Sequence, residues 1–159
     1  AAGVSVYIVS ASPEAVIEEI APLLGFPVDA EHAFGIRVEM DGDQLTTRTV
    51  DPATYPVTYR EGKAAVIQKH LPGPPVLVAG DSMTDYEMLV GFPETKITLL
   101  INRNRKDQPL RDLYKAAMDK KIDGQRTVVL QGRDENLGSF IPSTETIPLG
   151  ESKPKPVVF

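Results

Sequence analysis

Two aspartates that follow a short apolar run carry the strongest chemical signal in the sequence. The run at 76–79 leads into Gly80 and Asp81, and Asp85 lies four residues beyond Asp81. Carboxylate oxygens are hard ligands, and Mg²⁺ in proteins is commonly held by one or two carboxylates together with a substrate phosphate. The spacing therefore predicts that Asp81 and Asp85 serve a divalent cation beside an anionic substrate.

Two residues elsewhere in the chain have groups that suit the same substrate. Ser10 follows an apolar run at 4–9, and Lys63 opens a predicted helix at 62–71. A hydroxyl beside the N–H groups of a helix N-terminus can bind a phosphate oxygen, and a lysine adds a positive charge for it. Taken singly, the serine and Asp85 are also ordinary helix caps, and the lysine is an ordinary surface residue. The order of these residues along the chain is what favours a phosphate and cation site.

The pattern of the sequence also predicts the scaffold that these side chains need. Apolar runs alternate with helical patterns, which indicates an α/β fold whose parallel strands bring their carboxyl ends to one edge. The predicted strands are 4–9, 76–79, 96–101 and an edge strand at 127–130, with a hairpin at 34–49 around Asp41-Gly42; the predicted helices are 13–24, with Ser12 as its N-cap, 62–71, 85–90 and 110–121.

The chain is expected to form one core at residues 1–131, followed by an extended or weakly ordered tail at 132–159. Within that tail, Arg133, Asp134, Glu135 and Asn136 could reach a substrate, but a polar surface loop is the favoured interpretation. The sequence shows no internal repeat and no clear domain boundary.

Composition narrows the class of protein. The 159 residues are 42% hydrophobic and 25% charged, as in a soluble globular domain. The formal net charge of -5 disfavours a nucleic-acid or anionic-membrane partner. The absence of cysteine excludes disulfides, thiolate metal sites and cysteine nucleophiles. No apolar run approaches the roughly 20 residues that span a bilayer, and the compartment stays open between cytoplasm and periplasm.

Three segments together resemble a known superfamily. "VYIVSAS", "EGKAAVIQKHL" and "VLVAGDSMTDYEML" resemble, in order, the second, third and fourth motifs of the haloacid dehalogenase-like (HAD) superfamily. The hairpin followed by "YREGK" is most similar to the phosphoserine and phosphorylcholine phosphatase branches. The resemblance implies a Rossmann-like parallel sheet with helices on both faces. It also implies Mg²⁺-dependent phosphoryl transfer from a small phosphorylated substrate through an aspartyl-phosphate.

The resemblance assigns a role to each candidate residue. Ser10 and Ala11 would bind the transferring phosphate, and Lys63 would stabilise both the phosphate and the nucleophile. Asp81 would bind Mg²⁺, and Asp85 would support the metal shell. Ser10 and Lys63 are therefore the expected catalytic residues of this chain.

One motif of the superfamily has no counterpart at the expected place. The nucleophile motif, Asp-x-Asp-x-Thr/Val, ends a central strand before the serine motif, and here only three residues precede Val4. The sole Asp-x-Asp, at residues 41–43, is interpreted as a hairpin turn. We expect a missing N-terminal segment or a second chain to supply the nucleophile, the general acid, the central strand and the cap. Without it, two strand edges would face one another unpaired, and the isolated chain is expected to be unstable and inactive.

Two other functions stay open at this point. A non-catalytic HAD-like binding or assembly module would keep the phosphate pocket without hydrolysis. A receiver-like phosphorylation domain also uses strand-end acids and a lysine, but the lysine here precedes the Gly-Asp-Ser motif, which disfavours that class.

Overall fold

The computed structural model describes residues 3–26, 28–119, 122–123 and 126–159, with only the backbone of residues 122 and 123. The chain divides into two compact units, the first ending at Pro72 and the second beginning at Gly73. The predicted boundary between core and tail, at 131/132, does not coincide with this division. Among the described residues, no helix has the length and apolar character needed to cross a membrane.

The first unit contains a two-stranded parallel sheet, a hairpin and two long helices. Its elements are β1 (Ile8–Pro13), α1 (Glu14–Leu23), a 3₁₀ turn (Ala30–His32), β2 (Ala33–Ile36), β3 (Val38–Asp41), β4 (Gln44–Thr49) and α2 (Glu61–His70). β1 pairs with β2 in parallel, and β3 pairs with β4 in antiparallel fashion. The buried residues Phe34, Tyr55 and Val66 form its core.

The position of β1 differs from the prediction. The apolar run suggested a strand at 4–9, but the strand begins at Ile8 and continues to Pro13, so Ser10 lies inside it. Pairing with β2 determines these bounds, and Val4 and Val6, which precede them, are exposed. Helix α1 follows at once, with Pro13 as the N-cap residue in place of the predicted Ser12.

The segment 34–49, predicted to be one hairpin, contains a parallel strand followed by a shorter hairpin. Residues 33–36 form β2, whose buried Ala33 and Phe34 pair with β1. The hairpin itself comprises β3 and β4, and Gly42 in its two-residue turn has a φ of 59°. Glycine accepts this left-handed conformation without the steric cost that a side chain imposes. The Asp41-Gly42 signal therefore predicted the turn correctly, although it did not reveal the parallel strand beside it.

The second unit contains one sheet with mostly parallel neighbours. Its elements are β5 (Leu77–Gly80), α3 (Tyr86–Val90), β6 (Ile97–Asn102), α4 (Gln108–Met118), β7 (Ile122–Asp123), β8 (Arg126–Asp134), β9 (Ser139–Ile141), β10 (Glu145–Ile147) and β11 (Lys155–Pro156). The order of the strands across the sheet is β11-β10-β8-β6-β5, and β7 and β9 also pair with β8. β5, β6, β8 and β10 are parallel neighbours, which confirms the predicted α/β class.

Strand β8 is central, and the prediction of an edge strand at 127–130 was wrong. β8 runs for nine residues and pairs with β6 and with β7, β9 and β10. Its burial alternates, with Val128 and Leu130 turned inward. A strand's neighbours are contributed by distant parts of the chain, so a short local run did not show that this strand lies within the sheet.

The segment 132–159 is more ordered than the predicted tail, since it ends β8 and forms three further strands. Gly132 allows this packing, because a Cβ atom there would lie 2.0 Å from the carbonyl oxygen of Pro142. Asn104 forms two hydrogen bonds with the C-terminal segment, one to the last strand and one to a residue after it. It donates to the carbonyl of Pro156 at 2.8 Å and accepts from the N–H of Val158 at 2.9 Å.

Candidate functional site

Ser10, the first predicted phosphate ligand, is held by two hydrogen bonds within the first unit. Its hydroxyl oxygen accepts from the N–H of Ser12 at 3.1 Å. Its carbonyl accepts from the hydroxyl of Thr58 at 2.6 Å, and Thr58 is fully buried. Ser10 and the neighbouring Ala11 are partly buried in β1. Since the Ser10 hydroxyl accepts the local bond, its own hydrogen remains to be donated to a ligand oxygen.

The segment from Thr58 to Lys63 is a tight turn that starts α2. Arg60 has a φ of 52°, a left-handed value that is uncommon for a residue with a side chain. At Gly62 a Cβ atom would lie only 1.7 Å from the carbonyl oxygen of Val57, so no larger residue fits without moving the backbone. The turn therefore fixes the first turn of α2 relative to Thr58, and through Thr58 relative to Ser10.

Lys63, the second predicted phosphate ligand, is buried, with 5% of its surface exposed. The alternative interpretation of an ordinary surface lysine is therefore wrong. Lysines are seldom buried to this extent unless charged or polar groups surround them. The structure thus places both Ser10 and Lys63 in the first unit, and the Thr58 turn connects the elements that carry them.

A polar network holds the start of α1 against β2. Glu14, the first residue of α1, accepts from the N–H of Gly35 at 3.1 Å, from the hydroxyl of Tyr55 at 2.8 Å and from the Nε of Arg37 at 2.6 Å. Burial, together with the Glu14 carboxylate, raises the pKa of Tyr55, so its hydroxyl stays a donor. This network fixes the end of β1, the strand that contains Ser10.

In the second unit, Asp81 and Asp85 have different tasks. Asp81 is the first residue after β5. Asp85 is buried, and its Oδ2 accepts from the N–H groups of Asp81 and Ser82, both at 3.1 Å, and from the Ser82 hydroxyl at 2.9 Å. Gly80 makes room, because a Cβ there would lie 2.7 Å from the Cβ of Asp85. Asp85 therefore shapes the loop that presents Asp81.

Arg103, which the sequence analysis did not single out, links Asp81 to Glu135. Nη1 of Arg103 donates to Oδ2 of Asp81 at 2.6 Å. The Nε and Nη2 of Arg103 donate to the two carboxylate oxygens of Glu135, each at 2.8 Å. These hydrogen bonds lower the pKa of Glu135, and together with Asp81 they raise that of the guanidinium. We call Asp81, Arg103 and Glu135 the charge row.

The sheet explains the charge row. Asp81 is the first residue after β5, Arg103 the first after β6 and Glu135 the first after β8. These three strands are parallel neighbours in the sheet. Ligands of such sheets bind outside the carboxyl ends of the strands. The signal that could have revealed Arg103 and Glu135 was therefore a charged residue directly after a strand. The interpretation of 133–136 as a surface loop was incorrect for Glu135, which is largely buried.

The residues fit Mg²⁺ as a partial coordination shell. The Asp81 side chain is 35% exposed and offers hard carboxylate oxygen, while Asp85 directs one oxygen at the loop's own N–H groups. Among the described residues, no group of three or more acidic, histidine or cysteine side chains is arranged to hold a metal. One or two carboxylates completed by substrate phosphate and water suit Mg²⁺, whereas an all-protein cage does not describe this loop.

Comparison with known proteins identifies the family. A sequence model of the haloacid dehalogenase-like hydrolases matches residues 1–90, more than half of the chain. The chain therefore belongs to the haloacid dehalogenase-like hydrolases, and its α/β architecture is consistent with the Rossmann-like fold of that superfamily. No curated protein matches it.

One solved structure resembles nearly the whole chain. It is a conserved protein of unknown function from Anaerococcus prevotii DSM 20548, with a TM-score of 0.76 and 28% sequence identity. The match covers 94% of this chain and 38% of that chain. This chain thus spans well under half the length of that protein.

Proposed function

We propose that the chain supplies the phosphate- and metal-binding residues of a Mg²⁺-dependent phosphatase that hydrolyses a small phosphorylated substrate. The observation that carries the proposal is the loop after β5, where buried Asp85 binds the backbone N–H groups that precede it and presents Asp81. Membership of a hydrolase superfamily supports the reaction class.

Each side chain then has a defined task. The hydroxyl of Ser10 and the N–H of Ala11 donate to a phosphate oxygen, and Lys63 offsets the charge of the phosphate. Asp81 holds Mg²⁺ and Asp85 keeps the loop in shape. Mg²⁺, when bound, supplies Lewis-acid stabilisation of the charge on the phosphoryl oxygens.

We further propose that a strand carrying the aspartate nucleophile and the general acid is added by a segment or chain outside these residues. Two observations support an added strand. Among the described residues, β1 pairs only with β2, and β5 is the last strand of its sheet. Val4, Val76 and Leu77 lie at or beside these strands and are exposed. Parallel strands are normally buried by neighbours, so such edges suit further pairing.

A finer placement, in the phosphoserine or phosphorylcholine phosphatase-like branch, is also proposed. Its support is the β3–β4 hairpin that follows α1 and β2, together with the "YREGK" segment at 59–63. The substrates of that branch combine one phosphate with a small polar or cationic group. Assays should therefore compare phosphoserine and phosphorylcholine directly.

The test is hydrolysis of p-nitrophenyl phosphate by the chain alone and together with any polypeptide that co-purifies with it. Activity is expected only when an Asp-x-Asp-x-Thr/Val polypeptide is present, and it should disappear with EDTA. Asp81→Asn should abolish it. Full activity of Asp81→Asn would overturn the metal assignment.

A non-catalytic binding module is the second candidate. The sole Asp-x-Asp of the chain lies at residues 41–43, and the structure places it at the turn between β3 and β4, which favours this alternative for the chain on its own. The module would be supported over the enzyme if the chain binds inorganic phosphate but does not hydrolyse p-nitrophenyl phosphate, even with the nucleophile-bearing polypeptide present.

A further inference from the structure

We infer that Arg103 competes with the divalent cation for the carboxylate of Asp81, and that Glu135 sets the strength of this competition. The inference rests on the proposed function of Asp81 as a metal ligand. It assigns opposite effects on metal affinity to two neighbouring residues, both outside the motifs by which the chain resembles its superfamily.

The first step is the bond between Arg103 and Asp81. The 2.6 Å contact between Nη1 and Oδ2 is a short, charge-assisted hydrogen bond. A cation that binds Asp81 must share the carboxylate with the guanidinium or displace it. Because arginine does not lose its proton in proteins, its positive charge stays beside the cation at every working pH. The two positive charges repel one another, so Arg103 lowers the affinity of Asp81 for the metal.

Second, both side chains of the Asp81–Arg103 pair are partly exposed to solvent. The side chains of Asp81 and Arg103 are 35% and 29% exposed. A carboxylate of this exposure can turn toward solvent when a cation arrives, and the guanidinium can remain behind with its other partner. The bond is therefore one that a metal can open without unfolding the loop.

The third step is the role of Glu135. It binds Arg103 through both carboxylate oxygens at 2.8 Å, and its side chain is 15% exposed. Its position is fixed by Asp134, whose Oδ1 accepts from the N–H groups of Asn136 and Leu137 at 2.9 and 3.3 Å. Glu135 thus offsets the charge of Arg103 and binds its Nε and Nη2, so that only Nη1 bonds to Asp81. Without the Glu135 charge, Arg103 pairs more strongly with Asp81.

The experiment is isothermal titration of Mg²⁺ into the full 159-residue chain in complex with the polypeptide proposed to carry the nucleophile strand. Arg103→Ala is expected to bind Mg²⁺ about tenfold more tightly than the wild type, and Glu135→Gln about fivefold more weakly, as coupling within one ion-pair network allows. In the Arg103→Ala background, Glu135→Gln should change the affinity by less than about twofold, because the competitor is gone. Circular dichroism would establish that each variant is folded.

Two further variants complete the design. Lys153 is an exposed residue of the same unit, so Lys153→Ala removes the same charge as Arg103→Ala at another place and should leave the affinity unchanged. Should Arg103→Ala fail to fold, Arg103→Met keeps an unbranched apolar side chain but removes the guanidinium. This variant is also expected to bind Mg²⁺ more tightly than the wild type.

The outcomes separate this inference from the proposed function. Unchanged or weaker binding by Arg103→Ala or Arg103→Met, in a chain whose Mg²⁺ binding is abolished by Asp81→Asn, would overturn the inference and leave the metal assignment intact. Absence of Mg²⁺ binding in the wild type, Arg103→Ala and Arg103→Met alike would overturn both. Binding by the arginine variants but not by the wild type would support the competition strongly.

Discussion

The two units prepare their candidate ligands by different physical means. In the first, Ser10 is positioned by a buried neutral hydrogen bond from Thr58, and Lys63 by a turn that leaves no room for a side chain at Gly62. In the second, Asp81 is positioned by charges, through Asp85 within its own loop and through Arg103 from the next strand.

Under the proposed function, this difference follows from what each group would do. A serine hydroxyl and backbone N–H groups recognise phosphate by geometry, so close packing that fixes the backbone is the effective means. A metal ligand must stay charged and accessible, so its position depends on neighbouring charges that can be displaced. The first unit should therefore respond mainly to changes in shape, and the second to charge and salt.

The largest expected effect is in the turn before Lys63. Gly62→Ala should destabilise the chain by about 3 kcal/mol, since the added methyl group meets backbone and cannot be accommodated by a side-chain movement. Alanine normally favours a helix over glycine, so the loss would run against helix propensity. Urea unfolding provides the measurement. Gly73→Ala is the matched control, because a Cβ at Gly73 meets nothing within 4 Å, and little change there is expected.

The next effect concerns the loop after β5. Asp85→Asn replaces a charged acceptor of three hydrogen bonds by a neutral one and should cost about 2 kcal/mol in the free energy of unfolding. Asp107→Asn makes the same chemical change at an exposed helix cap whose side chain forms no capping bond. Equal losses in the two variants would contradict the role given to Asp85.

A smaller effect is expected when a threonine hydroxyl that donates a hydrogen bond in the first unit is removed, and its size should depend on whether that threonine is buried or exposed. Thr58→Val keeps the shape of the side chain but leaves the Ser10 carbonyl without its 2.6 Å donor, at a cost of about 1.5 kcal/mol. Thr54 forms a similar bond to the carbonyl of Asp51 at 2.7 Å on the surface, so Thr54→Val should cost less than about 0.5 kcal/mol. Neither loss should depend on salt, as thermal unfolding at low and high NaCl would show.

The smallest effect is pH-dependent and belongs to the second unit. Arg103 lowers the pKa of Glu135, so the carboxylate contributes stability above the ordinary value of 4.5, and this stability is lost as the pH falls through the lower pKa of the folded protein. Glu135→Gln, measured in EDTA, should cost about 1 kcal/mol at neutral pH, and less at high salt. The difference in the free energy of unfolding between Glu135→Gln and the wild type should disappear as the pH falls below 4.5.

The control for that experiment is an exposed ion pair of the first unit. Glu39 accepts from Arg48 at 2.6 Å, but the side chains of Glu39 and Arg48 are 45% and 71% exposed, against 15% and 29% for Glu135 and Arg103. Glu39→Gln should therefore change stability by only a few tenths of a kcal/mol. A larger effect at Glu39 than at Glu135 would contradict the view that charge matters mainly in the second unit.

Local patterns in the sequence were sufficient for the fold class and the aspartate loop. The alternation of apolar runs and helices predicted the α/β fold, and the Gly-Asp-Ser-x-x-Asp spacing placed Asp81 directly after β5. These features depend on residues within a few positions of each other, where strand and helix periodicity and turn chemistry act. The alternative interpretation of Asp85 as a cap of the following helix was wrong, because its side chain forms no capping bond to α3 and accepts from the N–H groups of the loop that precedes it.

Features made by distant residues were not visible in the same way. The central position of β8 and the strands after residue 132 depend on which strands pair, and a local run does not specify its neighbours. For the same reason, Arg103 was not singled out, and Glu135 was assigned to a polar surface loop in preference to a substrate contact. Their significance arises from the parallel alignment of β5, β6 and β8, which brings three strand ends side by side.

The charge row also bears on the order in which the chain folds. Asp81 and Arg103 are 22 residues apart, and Arg103 and Glu135 are 32 apart. Parallel strands must close long loops before their contacts repay the lost entropy, so such pairings form slowly. We therefore expect the charge row to be among the last contacts to form as this sheet closes.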